Sequence, residues 1–189
     1  MKKMRCAWAE KGNDELLKQY HDNVWGKPSH DNQELFELLS LELMQSGLSW
    51  TTVLHKQVAF EKAFYNFDYH LVAKMDDGDV ERLLLDASII RNRMKINAII
   101  KNAKAIVKLE NDGITFNNLV WSFVDNKPIN HRIIKQEERP KTTETATNLS
   151  KRLKKLGFSF VGPVVAYSFM QASGMVNDHE EKCFVTNDN

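Results

Sequence analysis

The sequence predicts an all-α protein, on three observations. Apolar residues recur at three- and four-residue spacings along most of the chain, helix-starting residues precede several of those runs, and no alternating apolar and polar stretch of useful length appears. With 189 residues, 42% of them hydrophobic, the chain can bury a real core without a metal or disulfide to compensate for small size. That length suits one large domain or two small lobes.

Taken in order, Leu16 to Tyr20 predicts a short helix, closed by His21-Asp22-Asn23 and the turn at Gly26-Lys27-Pro28. Asp31, with Glu34 three residues later, makes a capping box that opens a helix through Leu35, Phe36, Leu38, Leu39, Leu41, Leu43 and Met44. A helix apolar almost all round is central and buried. Glu34 and Glu37 can share a solvent strip, but Glu42 lies about 140° beyond Glu37 at the helical pitch and follows Leu35 and Leu38 along one stripe. A carboxylate held out of water costs several kcal/mol unless something pairs with it. Glu42 therefore has a cationic partner or a raised pKa, unless it bends to the surface. Gly47 ends this helix as a left-handed C-cap, and Ser49 N-caps a following helix through Trp50 to Val53. Gln45, Gly47 and Leu48 then belong to a tight, exposed corner beside Glu42 and Trp50.

Beyond Trp50 the helical pattern continues through Val53, Leu54, Val58, Phe60, Phe64 and Phe67, with Asp68 and Asp76 or Asp77 as N-caps of the next two segments. Asp79 to Asp86, the turn from Ala87 to Asn92, and a long helix from about Arg93 to Leu109 form a helix-turn-helix pair. Ile96, Ile99, Ile100, Ala103, Ile106 and Val107 line its inner face, and Lys101, Lys104 and Lys108 an outer one. Backbone N–H groups that open a helix bind phosphate readily, and Arg91, Arg93 and Lys95 sit at this tip. An ordinary solvated face is the other reading. A further helix spans Phe116 to Val124, and the polar stretch Asp125 to Thr147, with Pro128 and Pro140, reads as a linker or mobile loop. Leu149, Leu153 and Leu156 then form a stripe opposed by Lys151, Arg152, Lys154 and Lys155. The apolar run Phe158 to Met170 is too short to span a bilayer and contains Gly162-Pro163, which predicts a buried helix.

A formal net charge of +1 excludes a bulk polycation, so any nucleic-acid surface is a local patch. The basic opening lacks the apolar core of a signal peptide, and a cytoplasmic, monomeric protein with no membrane partner is expected. The two cysteines, Cys6 and Cys183, lie at opposite ends of the chain. His179 and Cys183 stand at i, i+4, on one face if that turn is helical, and Cys6 with His21 could complete a closed Cys₂His₂ tetrahedron. Two unrelated thiols, or a terminal disulfide, are the competing readings. A metal clip would restrict the unfolded chain by something on the order of 4 kcal/mol if loop-closure arithmetic transfers to it. His30, His55, His70 and His131 have no such companions in the sequence.

These residues together resemble the bacterial 3-methyladenine DNA glycosylase I family, a branch of the helix-hairpin-helix DNA glycosylases. The resemblance is carried, in order, by Cys6-Ala7-Trp8, Tyr20-His21-Asp22 with Trp25-Gly26, Leu41-Glu42 with Gly47-Leu48-Ser49-Trp50, Ile89-Ile90-Arg91, Val120-Trp121-Ser122-Phe123, Phe160-Val161-Gly162, Tyr167-Ser168-Phe169-Met170-Gln171-Ala172, and Asn177-Asp178-His179 with Cys183. It implies one glycosylase unit or two lobes, a DNA-binding lobe at about 29–125 and a zinc-containing lobe of 1–28 plus 126–189. It implies a structural zinc held by Cys6, His21, His179 and Cys183, and a base pocket containing Glu42, Trp50, Trp8 and Tyr20. It further implies DNA contacts from the Gln45, Gly47 and Leu48 corner and from Ile89, Ile90, Arg91 and Arg93. One departure is Leu17, where the family pocket carries a second tyrosine. The implied activity is excision of 3-methyladenine from double-stranded DNA containing N3-methylated purines, by hydrolysis without lyase chemistry. Free 3-methyladenine is the product, and Glu42 is the catalytic candidate. A protein that binds alkylated bases without releasing them is the alternative; a zinc hydrolase would need an open coordination position that four filled ligands deny.

Overall fold

A computed structural model describes residues 3–188 of the chain, with side chains through Thr186. In order the helices are α1 (Glu15–Asn23), α2 (Asn32–Gln45), α3 (Trp50–Leu54), α4 (Gln57–Ala63), α5 (Tyr69–Val72), α6 (Asp77–Leu85), α7 (Arg93–Asn111), α8 (Phe116–Trp121), α9 (Glu144–Lys155) and α10 (Pro163–Ala172). The centre is α2. Leu35, Phe36, Leu39, Leu43 and Met44 are fully buried on it, and α3, α7, α8 and α10 pack around it. Even its serine is accommodated, because the Ser40 hydroxyl donates to the Phe36 carbonyl 2.7 Å away.

The predicted caps start the helices. Asp31, Ser49, Asp68 and Asp76 each accept a backbone N–H at the head of the helix that follows. At α2 only half of the capping box forms: Glu34 accepts instead from the Ser29 hydroxyl at 2.6 Å. Helix α1 also runs past the expected stop to Asn23, so His21 projects from a helix rather than a turn.

Two expectations need correction. The fold is predominantly helical rather than wholly so: β1 (Ile129–Asn130) and β2 (Val176–Asn177) pair in parallel, Ile129 opposite Val176. Two residues are too few for an alternating pattern to register in a sequence. The stretch 125–147 is consequently not a free linker, since this pairing, a bridge between Ile133 and Glu180, and the buried Ile133 side chain attach it to the body. One continuous set of buried side chains joins both ends of the chain to its middle, from Cys6 and Trp25 through α2 and α7 to Tyr167 and Cys183. No described helix is long and apolar enough to cross a membrane.

Candidate active site and metal centre

A cavity of about 180 Å³ opens where the end of α2 meets the N-terminal segment, α1, α3 and α10. Glu42 reaches it from α2 and Trp50 from the first residue of α3, while Trp8 comes from the short 3₁₀ segment Ala7–Asn13 and Tyr20 from α1. The ring centroids of Tyr20 and Trp50 are 4.8 Å apart, and Trp8 lies edge-on to Trp25 at 5.1 Å. All four residues singled out as pocket candidates therefore share one wall. Leu17 does not line the cavity; it is buried in the core one turn before Tyr20.

Glu42 is 6% exposed, and among the described residues no lysine, arginine or hydrogen-bond donor pairs with it. Burial alone pushes its pKa up to about 8. Of the alternatives left open by the sequence, the raised pKa is the one realised. Burial, with the nearby Glu42 carboxylate, also pushes the Tyr20 phenol well above its ordinary value, so it stays protonated. Around the acid, Trp8 Nε1, Tyr20 Oη and Trp50 Nε1 are buried donors with no hydrogen-bond partner. Groups that are elsewhere satisfied in protein interiors are here left facing one site.

Four more lining residues went unrecognised as site residues: Trp25, Arg139, Ser168 and Gln171. Trp25, Ser168 and Gln171 fall inside short aromatic or polar motifs, so a signal existed. Arg139 lies in the stretch read as a linker, and nothing local distinguishes it. Gln171 is oriented by Asp178, which accepts its amide nitrogen at 2.7 Å and also accepts from Tyr167 and from His131 Nδ1 at 2.6 Å. His131, which has no part in the Cys₂His₂ cluster, belongs to this hydrogen-bonded network.

Beyond the aromatic wall lie Cys6, His21, His179 and Cys183, all buried, with their ligand atoms within 4.8 Å of one another. Cys6 Sγ is 3.5 Å from His179 Nδ1, and Cys183 Sγ is 3.5 Å from His21 Nε2 and 3.6 Å from His179 Nδ1. Tetrahedral coordination with metal–sulfur and metal–nitrogen bonds of zinc length requires S···N edges of about 3.5 Å. The outer ring nitrogens are occupied as metal-binding histidines need: His21 Nδ1 faces Asp22 at 2.9 Å, and His179 Nε2 faces the Trp25 carbonyl at 3.0 Å. Asp22 is itself held by the Arg5 guanidinium at 2.8 Å. Contact with Cys6 and both imidazoles pushes the Cys183 thiol down toward thiolate, while facing Cys183 pushes Cys6 up. His179 to Cys183 is a turn rather than the helix its spacing suggested, closed by the Cys183 amide on the Glu180 carbonyl. Gly26 has φ +77, and a Cβ there would sit 2.7 Å from His179 Nε2, so the cluster needs glycine at that point.

The predicted DNA-contact residues divide. Gly47 adopts φ +81 just past the end of α2, and Leu48 is 40% exposed beside it, with Gln45 Nε2 closing the corner on the Leu48 carbonyl at 2.7 Å. At the hairpin, Arg91 is exposed and Ile90 half-buried. Arg93 is already paired with Glu81 at 2.7 Å. Ile89 is buried with its N–H directed to the Asp86 carbonyl, so it builds the turn and presents no side chain to solvent. Lys95 is the clearest correction to the phosphate tip. It is buried and turned inward, donating to the carbonyls of Met44 at 2.8 Å and Ser46 at 2.6 Å. It satisfies the C-terminal carbonyls of α2, where a cation is favoured by the helix dipole.

Fold and site define the class: a helical protein with an aromatic-lined cavity built over a buried, unpaired acid. Comparison narrows it. Residues 8–186 match the methyladenine glycosylase family. The chain is 49% identical over 179 residues to DNA-3-methyladenine glycosylase 1 of Escherichia coli (strain K12), covering 95% of each chain. A crystal structure of 3-methyladenine DNA glycosylase I superposes with a TM-score of 0.93 at 47% identity, covering 96% of this chain and 98% of the other. The Staphylococcus aureus 3-methyladenine DNA glycosylase I, solved for its 3-methyladenine recognition, superposes with a TM-score of 0.91 at 40% identity, over 96% and 95% of the two chains. The chain belongs to the methyladenine glycosylase family.

Proposed function

We propose that this protein is a base-excision repair hydrolase that releases 3-methyladenine from alkylated double-stranded DNA. The observation that carries the reading is Glu42: a buried acid with no cationic partner, inside a ring of Trp8, Tyr20, Trp25 and Trp50. N3-methylation gives adenine a positive charge. Such a base stacks favourably on electron-rich rings, by around 2 kcal/mol when desolvated, and it brings the acid the counter-charge it lacks. Neutral adenine gains neither.

The substrate is already activated for cleavage. The C1′–N9 bond breaks with its electron pair passing to the base, which leaves neutral, while the sugar becomes oxocarbenium-like; water then adds to C1′ and gives up a proton. What the protein supplies is extraction of the nucleotide, at a cost of a few kcal/mol, and preferential binding of the cationic base. Glu42 selects and orients that base rather than serving as a strong general base. The exposed Gly47 and Leu48 corner, with Gln45, enters the stack, and Ile90 and Arg91 meet the backbone at the hairpin. Divided as the resemblance implies, into about 29–125 and 1–28 plus 126–189, the chain supplies the pocket from both parts. Glu42, Gln45 and Trp50 come from one, and Trp8, Tyr20, Trp25, Arg139, Ser168 and Gln171 from the other.

The Cys₂His₂ cluster fits zinc by its donor set, its S···N edges and its occupied outer nitrogens. Bound there, zinc would supply a cross-link between the two ends of the chain and no open position for chemistry. Its ligands also carry the pocket wall: Trp8 packs edge-on to His21 at 5.3 Å and Trp25 to His179 at 4.7 Å.

Incubation with methylated duplex DNA tests the reading. Free 3-methyladenine should appear in the supernatant; tight binding of the damaged DNA with no released base would instead mark a sensor.

A further inference from the structure

We propose that Arg139 grips a phosphodiester of the everted nucleotide through the Nε and Nη2 edge of its guanidinium. This rests on the base-pocket reading above.

Arg139 follows the 3₁₀ turn Gln136–Glu138, in a segment held to the body by the β1–β2 pairing and by Glu138, which accepts the amides of Ile134 and Lys135. Its guanidinium carbon stacks over the Trp25 ring at 5.0 Å, and the side chain lines the cavity. Contact with the ring face restrains the side chain while leaving its N–H groups available. Two of those nitrogens, Nε and Nη2, are buried and have no hydrogen-bond partner, and no described carboxylate forms an ion pair with the residue. Nε and Nη2 are adjacent and coplanar, the edge that meets carboxylate or phosphate with two parallel hydrogen bonds.

The occupant of that edge must be an anion with two neighbouring acceptor atoms. A cationic methylated adenine is the wrong charge, and its N7 acceptor lies beside the N6 amine, a donor. A phosphodiester has the right charge and two non-bridging oxygens, and it accompanies every nucleotide whose base enters the cavity. The pocket then sorts a nucleotide by charge, with Glu42 for the positive base and Arg139 for the negative backbone.

The test uses Arg139→Met and Arg139→Lys with a duplex carrying one 2′-fluoro-3-methyl-2′-deoxyadenosine, whose base keeps its positive charge while the fluorine slows cleavage, with either flanking phosphate native or replaced by a neutral methylphosphonate. Wild-type affinity should fall about 10- to 100-fold for one of the two replacements, the range for losing a charge-assisted pair of hydrogen bonds. Arg139→Met should show the same loss on the native duplex and no further loss on that methylphosphonate, while Arg139→Lys, which keeps charge but not the fork, falls between. Arg139→Met should weaken binding of free 3-methyladenine far less than it weakens binding of the native duplex. Additive losses from variant and methylphosphonate, no wild-type response at either linkage, or a loss for the free base as large as for the duplex would each overturn the assignment. If wild type releases no 3-methyladenine from methylated DNA, the base-excision reading itself fails. Excision that is intact and indifferent to Arg139 removes only this proposal.

Discussion

The Cys₂His₂ cluster and the cavity around Glu42 share a wall of tryptophans yet differ in how their polar atoms are spent. In the cluster both thiols face imidazoles and both outer ring nitrogens meet an acceptor, with Asp22 anchored in turn by Arg5. In the pocket Glu42 has no partner, and Trp8, Tyr20, Trp50 and Arg139 hold donors to nothing. A saturated site stabilises the fold; an unsaturated one is kept at a cost in stability, which the fold tolerates where a ligand completes it. Adjacent residues serve both sites. His21 follows Tyr20 on α1, and Cys6 stands two before Trp8, so fixing the cluster fixes the pocket.

That contrast can be broken from the cluster side first, where the largest effect is expected. Cys183→Ser, or removal of metal by a strong chelator, should destabilise the protein by something on the order of 4 kcal/mol. Thermal melts with and without chelator, beside metal analysis at one ion per chain, check this; an unchanged melt would mean that the cluster is four thiol and imidazole groups and no more.

The pocket should behave in the opposite sense, as a place where stability is lost for function. An acid whose folded pKa is raised stabilises the fold only while protonated. Glu42 contributes fully below its ordinary value of 4.5, and the contribution disappears as pH climbs through about 8. The ligand-free protein should therefore lose a few kcal/mol across that window, and Glu42→Gln should flatten the loss. Melting curves from pH 5 to 9 report it, and parallel curves for the two proteins would contradict the burial of this acid.

Much of this was legible beforehand and some could not be. Glu42 stood out because helical periodicity places it on a stripe with Leu35 and Leu38, and burial is a local consequence of that period. The caps at Asp31, Ser49, Asp68 and Asp76 are equally local. The four metal candidates were visible as residue types, but only chain closure brings Cys6 beside Cys183. Arg139 and the β1–β2 pairing are long-range facts with no local pattern. Lys95 reads as one more basic residue at a hairpin tip, and only the packing of α7 beneath the end of α2 turns it inward.

Lys95 gives a smaller, sharper test. Lys95→Met would strand the Met44 and Ser46 carbonyls and should cost about 1–3 kcal/mol in chemical denaturation. A cost near zero would show that these carbonyls find other partners. The smallest effects are expected at the hairpin surface. Arg91→Gln should weaken duplex binding and lower the salt slope by about 0.9, the value for one phosphate contact. Arg93→Gln should do less, because Arg93 is already paired with Glu81. Equal slopes for wild type and both variants would remove this hairpin from the DNA interface.

The most direct measurement is single-turnover release of 3-methyladenine from methylated duplex by Glu42→Gln, with binding of the free base measured alongside. An amide fills the same space but cannot carry or share a proton, so it gives the cationic base in DNA no counter-charge and the neutral released base no acid to share a proton with. Excision should fall at least roughly tenfold, the equivalent of about 1.4 kcal/mol in the barrier, and affinity for the base should fall with it. Release at the wild-type rate, with undiminished affinity, would contradict the role of this acid.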